Sequence, residues 1–148
     1  IARTSWLYGQ HGSSFPRTIL QAGLSRDHLD VVRDQMGQPT WTRDVAHMIG
    51  ALITSPVTHG IFHTTNSGQA SWFDFARKLF RLAGWDDKRI APTTTSEFPR
   101  PAPRPAWSVL DHSGWEAHSL PLPRNWEEAL EDAWESGLSS LAASDSSL

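Results

Sequence analysis

The chain has 148 residues, a net charge of −3 and a pI near 6.1. That length suffices for one domain with a real core, and the balance lacks the basic excess expected of a duplex nucleic-acid binder. No apolar run reaches the length of a membrane-spanning helix, and the absence of cysteine excludes disulfides, thiolate catalysis and sulfur-ligated metals together. With 39% hydrophobic and 20% charged residues the composition predicts a soluble globular class, and a cytoplasmic setting is expected. Eight tryptophans stand against one tyrosine; such rings fill cores or line ligand clefts.

Residues 1–8, IARTSWLY, are rich in β-formers and stop at Gly9, which predicts a strand running into a loop. A strand needs partners, so the expectation is that these residues are not a true start. Pro16 suits a first helical turn, with Ile19, Leu20 and Leu24 as the apolar stripe. Leu29 to Val32 reads as a short apolar strand, and Gly37 and Pro39 then break regular structure. Thr42 to Ile53 predicts a helix capped by Thr42, with Val45, Ile49, Leu52 and Ile53 at helical spacing and Met48 beside them. GIFHTT reads as a second strand, closed by a turn at Asn66-Ser67-Gly68.

Ser71-Trp72-Phe73-Asp74 opens the clearest helix. Ser71 can accept from a first-turn amide while Asp74 reaches back, and Trp72, Phe75, Ala76, Leu79 and Phe80 share one face up to Gly84. Residues 91–106 hold prolines at 92, 99, 101, 103 and 105, which predicts an irregular linker or ordered loop. WSVLD after it reads as a short strand. Asn125 caps a last amphipathic helix, with Glu127 and Glu128 near its positive end. Residues 1–138 are expected to form the ordered unit and 139–148 a disordered tail. Short strands alternating with helices predict an α/β chain that resembles the end of a fold more than a complete one.

The chemistry of most common sites is missing. His59 and His63 share a face if GIF is extended, but no third ligand accompanies them and zinc sites need three or four. No G-x-S-x-G and no phosphate-cradling G-x-x-x-x-G-K-[ST] occur. GQHGSS after the first strand only partly echoes a dinucleotide-binding turn. A tyrosine–lysine acid pair of the short-chain reductase type needs Tyr-x-x-x-Lys; Tyr8 is followed four residues on by Gly12.

Four motifs in order, R-T-S-W-L-Y-G (Arg3 to Gly9), D-Q-x-G-x-P-T (Asp34 to Thr40), H-x-T-N-S-G-Q-x-S-W-x-x-F-A (His63 to Ala76) and P-x-x-R-P-x-x-S-x-L-D (Pro101 to Asp111), resemble the C-terminal half of the dTDP-4-dehydrorhamnose reductases. These are extended short-chain dehydrogenase/reductases with an NAD(P)-binding Rossmann-type fold and a small substrate-binding domain. The resemblance implies that the glycine fingerprint, the tyrosine–lysine pair and most NADPH or NADH contacts belong to a preceding dinucleotide-binding portion absent from these residues. It implies a dTDP-sugar substrate, a homodimeric parent, and the magnesium ion seen in some relatives.

Carried over by motif, Trp6 is the tryptophan that contacts the deoxysugar. Arg104 is the second arginine of the family's A-R-R-P run facing the nucleotide, where a guanidinium fork suits a diphosphate. Pro103 replaces the first arginine, with Arg100 nearby as a substitute, and Ser14 stands where many relatives have asparagine. Asp34, Gln35, Gly37, Pro39 and Thr40 are expected to shape the loop near the substrate, the glycine and proline setting turns. The leading expectation is the substrate-binding part of a reductase that is inactive by itself; the alternative is a non-catalytic nucleotide-sugar-binding or regulatory module of the same descent.

Overall fold

A computed structural model describes residues 1–97 and 102–143. In chain order these form β1 (Ala2–Arg3), β2 (Leu7–Tyr8), α1 (Phe15–Ser25), β3 (Leu29–Val32), β4 (Met36–Gly37), β5 (Thr40–Trp41) and α2 (Thr42–Thr54). They continue with β6 (Phe62–His63), β7 (Ala70–Ser71), α3 (Trp72–Leu82), β8 (Ile90–Thr93), α4 (Ser113–Ala117) and α5 (Trp126–Glu135). Strands pair two by two: β1 with β6, β2 with β5 and β3 with β8 in parallel, and β4 with β7 antiparallel. The class is α/β.

The α3 helix organises the larger core. Ser71 caps it reciprocally, its hydroxyl accepting from the Asp74 amide at 3.1 Å while the Asp74 carboxylate accepts from the Ser71 amide at 3.1 Å, an arrangement worth about 1 kcal/mol. Phe75, Ala76, Leu79 and Phe80 are fully buried. They meet α1, β3 and β8, and Phe75 packs against Tyr8, Phe15 and Trp126. Each large side chain buried there contributes about 1.5–3 kcal/mol. A smaller cluster gathers Met48, Phe62 and Trp115, and the Trp115 indole donates to the His63 carbonyl at 2.8 Å.

Several expectations are corrected. The strand over residues 1–8 is two pieces, because β1 and β2 have different partners and Trp6 turns the chain between them at φ 45°. Thr42 does not cap α2; Trp41 precedes the helix without a side-chain cap. The stripe on α2 is only partly covered, since Met48 is buried while Ile49 and Ile53 are exposed. Leu24 is exposed too. The proline-rich stretch begins as a strand: Pro92 lies opposite Val31 in β8, tolerated because β8 is an edge with no second partner among the described residues. WSVLD contributes one bridge, Trp107 to Met36, and no strand. In the expected tail, a 3-10 turn at Leu138–Ala142 buries Leu138 and Leu141 in the main core; residues 144–148 lie outside the described residues.

With strands so short, side chains tie the pieces together. Asp44, in the first turn of α2, is nearly buried and accepts from Arg124 Nε at 2.9 Å and Nη2 at 3.0 Å and from Asn66 Nδ2 at 2.7 Å. Asn66 Oδ1 accepts the Trp41 amide at 2.9 Å. Arg124 also pairs with Asp132 on α5 and, like Arg43, lies over the Trp41 ring. One carboxylate therefore joins α2, the loop after β6 and the approach to α5.

Replacing Asp44 with alanine leaves the half-covered Arg124 with one carboxylate and the Asn66 Nδ2 with only its long bond to the Arg124 carbonyl at 3.4 Å; the expected loss is about 3 kcal/mol, a fall in Tm of roughly 6–12 °C by calorimetry. Asn66→Ala is expected to lose about 2 kcal/mol, and the double variant less than the sum, because the two share a bond. Ile1, Leu7, Ile49, Ile53 and Ile61 are all exposed, and apolar surface of that kind favours association. Sedimentation velocity of the 148-residue chain is expected to show concentration-dependent self-association; a sharp monomer that also melts cooperatively would contradict this.

Candidate functional site

Arg104, exposed on the returning limb of the proline-rich loop, lines a groove of about 410 Å³. Gln35, Trp72, Phe15, Thr18 and Arg26 share the lining, over an apolar floor that includes Ile19, Leu29 and Val31. Two guanidinium groups, one carboxylate (Asp30), a carboxamide and aromatic rings thus face one concavity; the cations outnumber the single anion, a combination suited to an anionic ligand with a planar or apolar portion. A second cavity, of about 630 Å³, lies over the Asp44–Arg124 pair between Trp41, Met48, Trp115 and Leu122. It is larger, yet none of the residues expected from the sequence lines it, and its charged floor is already internally paired.

The expected site residues do not all come together. Arg104 and Gln35 come together in the groove. Trp6 lies behind it, with its indole stacked on Trp72 at 3.5 Å and 10° between planes, and Trp72 in turn meets Phe15 at 4.5 Å. Asp34 and Gln35 both bind Thr95: the Asp34 carboxylate accepts the Thr95 amide at 2.9 Å and its hydroxyl at 2.8 Å, and Gln35 Nε2 donates to that hydroxyl at 3.0 Å. Led by the Thr95 amide, these bonds hold the Asp34 carboxyl below the usual carboxylate range. Ser14 precedes α1 without capping it; its hydroxyl is buried with no partner among the described residues. Arg100 lies outside the described residues.

Gly37 is required for a reason other than a turn. It sits in β4, and a Cβ there would fall 2.3 Å from the Trp6 ring; the indole lies directly on the backbone. Pro39 is buried. Thr40 is fully buried in β5, its amide donating to the Trp6 carbonyl at 3.1 Å and its hydroxyl to the Gln38 carbonyl at 3.0 Å. Glycine, proline and threonine thus shape backbone around Trp6 and stand away from the groove.

Residues the sequence reading passed over include Trp72, taken for a core position, and Thr95, taken for loop. Gln38 occupies an unspecified place in its motif, and Asn66 was read as a turn residue. Trp72 was the one with a usable signal, since an aromatic immediately after a helix cap stands at the open end of the helix. His63 Nδ1 donates to the Asp111 carbonyl at 2.8 Å, and His59 meets Thr58; among the described residues no three His, Asp or Glu side chains are grouped to hold a metal ion.

The GQHGSS loop between β2 and α1, which only partly echoes a dinucleotide-binding turn, is closed on itself by Arg17, whose Nε donates to the Gly12 carbonyl at 2.9 Å and Nη2 to the Gln10 carbonyl at 3.0 Å. Tyr8 is buried, its hydroxyl without a partner among the described residues. Burial, then the nearby Asp44 charge, pushes its phenol pKa up, and Tyr8 stands apart from the groove lining. No helix among the described residues is long and apolar enough to cross a membrane.

Residues 1–138 match the family model described as the RmlD substrate binding domain. A probable dTDP-4,6-dihydroxy-2-methyloxan-3-one 4-ketoreductase of Streptomyces antibioticus is 48% identical over 90% of this chain and 45% of its own length. A dTDP-4-dehydrorhamnose reductase of Streptomyces griseus is 42% identical over 90% of this chain and 45% of its own. Among solved structures, the dTDP-4-dehydrorhamnose reductase of Bacillus anthracis in complex with NADP superposes with a TM-score of 0.84 at 37% identity, covering 91% of this chain and 47% of that one. The Clostridium acetobutylicum enzyme of the same name gives 0.84 at 42% identity, covering 90% and 47%. The chain spans about half the length of the curated relatives it matches, and with its fold, its motifs and its family model in agreement it belongs to the RmlD substrate binding domain family.

Proposed function

We propose that this chain is the substrate-binding portion of a cytoplasmic NAD(P)H-dependent reductase that converts the 4-keto group of a dTDP-4-dehydro-6-deoxyhexose to a hydroxyl, with dTDP-4-dehydro-L-rhamnose as substrate and dTDP-L-rhamnose as product. The observation that carries this reading is Arg104 in a groove beside Gln35 and Trp72, within a chain whose relatives are named for dTDP-sugar reduction. Arg104 pairs with the diphosphate through parallel N–H donors. Trp6 contacts the deoxysugar; its support is the family motif and its place on the aromatic stack that Trp72 extends into the groove. Asp34 and Gln35 hold the outgoing limb of the Arg104 loop through Thr95. Arg100 and Ser14 stay in the reading as further nucleotide contacts. The cofactor, the proton donor, any magnesium ion and a homodimeric assembly belong to the parent.

Calorimetric titration is expected to show dTDP binding, weakened at least roughly tenfold in Arg104→Ala, the size of one charge-assisted pair. Trp6→Ala is expected to reduce affinity for dTDP-L-rhamnose more than for dTDP; equal losses for both ligands would remove the sugar contact from Trp6. The 148 residues mixed with NADPH and dTDP-4-dehydro-L-rhamnose are expected to leave the absorbance at 340 nm unchanged beyond the uncatalysed drift (the wavelength at which reduced nicotinamide absorbs, about 340 nm). Turnover by this chain alone would sink the division of labour proposed here.

A further inference from the structure

We infer that Gln38 is a positioning residue for Arg104: its buried carboxamide locks the returning limb of the proline-rich loop and so sets where the guanidinium stands in the groove. This inference rests on the nucleotide-sugar reading of that groove.

Gln38 is only 2% exposed, an unusual place for a long polar side chain. Its amide pairs with both backbone groups of a single residue, Leu110. Nε2 donates to the Leu110 carbonyl at 3.0 Å, and Oε1 accepts the Leu110 amide at 2.9 Å. The second lone pair of Oε1 takes the Thr65 hydroxyl at 3.1 Å. Only a carboxamide supplies a donor and a two-fold acceptor at the end of a chain of this length. A glutamate there loses the donor and brings a charge against the Leu110 carbonyl, and an apolar residue leaves buried polar groups unpaired.

The same short segment holds the rest of the loop. Met36 donates its amide to the Ala106 carbonyl at 2.8 Å and accepts the Ser108 amide and hydroxyl at 2.9 Å each, while Asp34 and Gln35 take Thr95 on the outgoing limb. The Met36 contacts run largely through backbone and are indifferent to most substitutions. The Gln38 side chain adds a side-chain anchor to the same limb at Leu110, and Arg104 sits on that limb two residues before Ala106. The segment is itself seated, because Gly37 lies under the Trp6 ring and pairs with Ala70.

The test is a double-mutant cycle on the 148-residue chain, with dTDP as the titrated ligand and thermal melting run in parallel. Gln38→Leu is expected to weaken dTDP about tenfold in the Arg104-containing chain and to cause no further loss in Arg104→Ala, while its effect on Tm is the same in both backgrounds. Binding losses that simply add would mean Gln38 acts on general stability and would overturn the inference. So would full dTDP affinity in a folded Gln38→Leu. Should that variant fail to melt cooperatively, Thr65→Val removes one of the bonds to Oε1 with little change of shape, and a smaller loss with the same dependence on Arg104 is expected; an additive loss overturns the inference here too. If Arg104→Ala or the parent chain shows that dTDP does not depend on Arg104, the nucleotide reading of the groove falls first, and the result is distinguishable from an additive cycle.

Discussion

Short strands cannot hold a fold by their ladders. Apart from β3 and β8, every strand here is two residues long, and each pair supplies only a few backbone bonds. What fixes their relative placement is a set of buried polar side chains that bind backbone across long sequence separations, with Asp44, Asn66 and Arg124 at the centre. Such a network is stable only when every member is satisfied, since the low local dielectric that strengthens a paired group also penalises an unpaired one. Asn66 shows the economy of the arrangement: its oxygen takes the Trp41 amide and its nitrogen serves Asp44, so one side chain positions both the end of β5 and the start of α2.

The groove inherits its precision from the same principle applied a second time. The segment from Asp34 to Gln38 grips both limbs of the loop that carries Arg104, by carboxylate, carboxamide and backbone in turn. An arginine on an unsupported loop would spend conformational entropy each time it met an anion. Anchoring both limbs reduces that cost while leaving the side chain itself exposed and free to turn. The aromatic rings behind the groove are similarly preorganised, because Trp72 is fixed by the capped start of α3, by stacking on Trp6 and by a tilted contact with Phe15.

What was legible in the sequence was local. The capping box at Ser71 and Asp74, the α3 face and the Asn125 cap each depend on residues within a turn of one another, and all three are present. So is the Leu29–Val32 strand. The reading failed where a distant partner decided the outcome. Residues 1–8 look like one strand until β5 and β6 claim different halves, and a proline in β8 looks prohibitive until its strand is seen to be an edge. The site followed the same division. Arg104 enters the proposed site through a motif, and the Asp34–Gln35 pair through the loop it belongs to. Gln38 and Asn66 gave no signal, because a polar residue beside a glycine or proline has the same appearance whether it faces water or bonds a peptide many residues away.

Trp6 unites these threads. A left-handed conformation is costly for a residue with a Cβ, of order 1–2 kcal/mol, and this one persists because its surroundings over-determine it. Its carbonyl receives the Thr40 amide, its ring lies on Gly37 where no Cβ could fit, and its other face stacks on Trp72. The strained residue therefore couples the β1–β2 bend, the segment that grips the Arg104 loop and the aromatic wall of the groove. A side chain needed only to fill space would not have to sit at a bend in a disfavoured conformation; Trp6 sits there because it registers a backbone segment against the aromatic rings beside it.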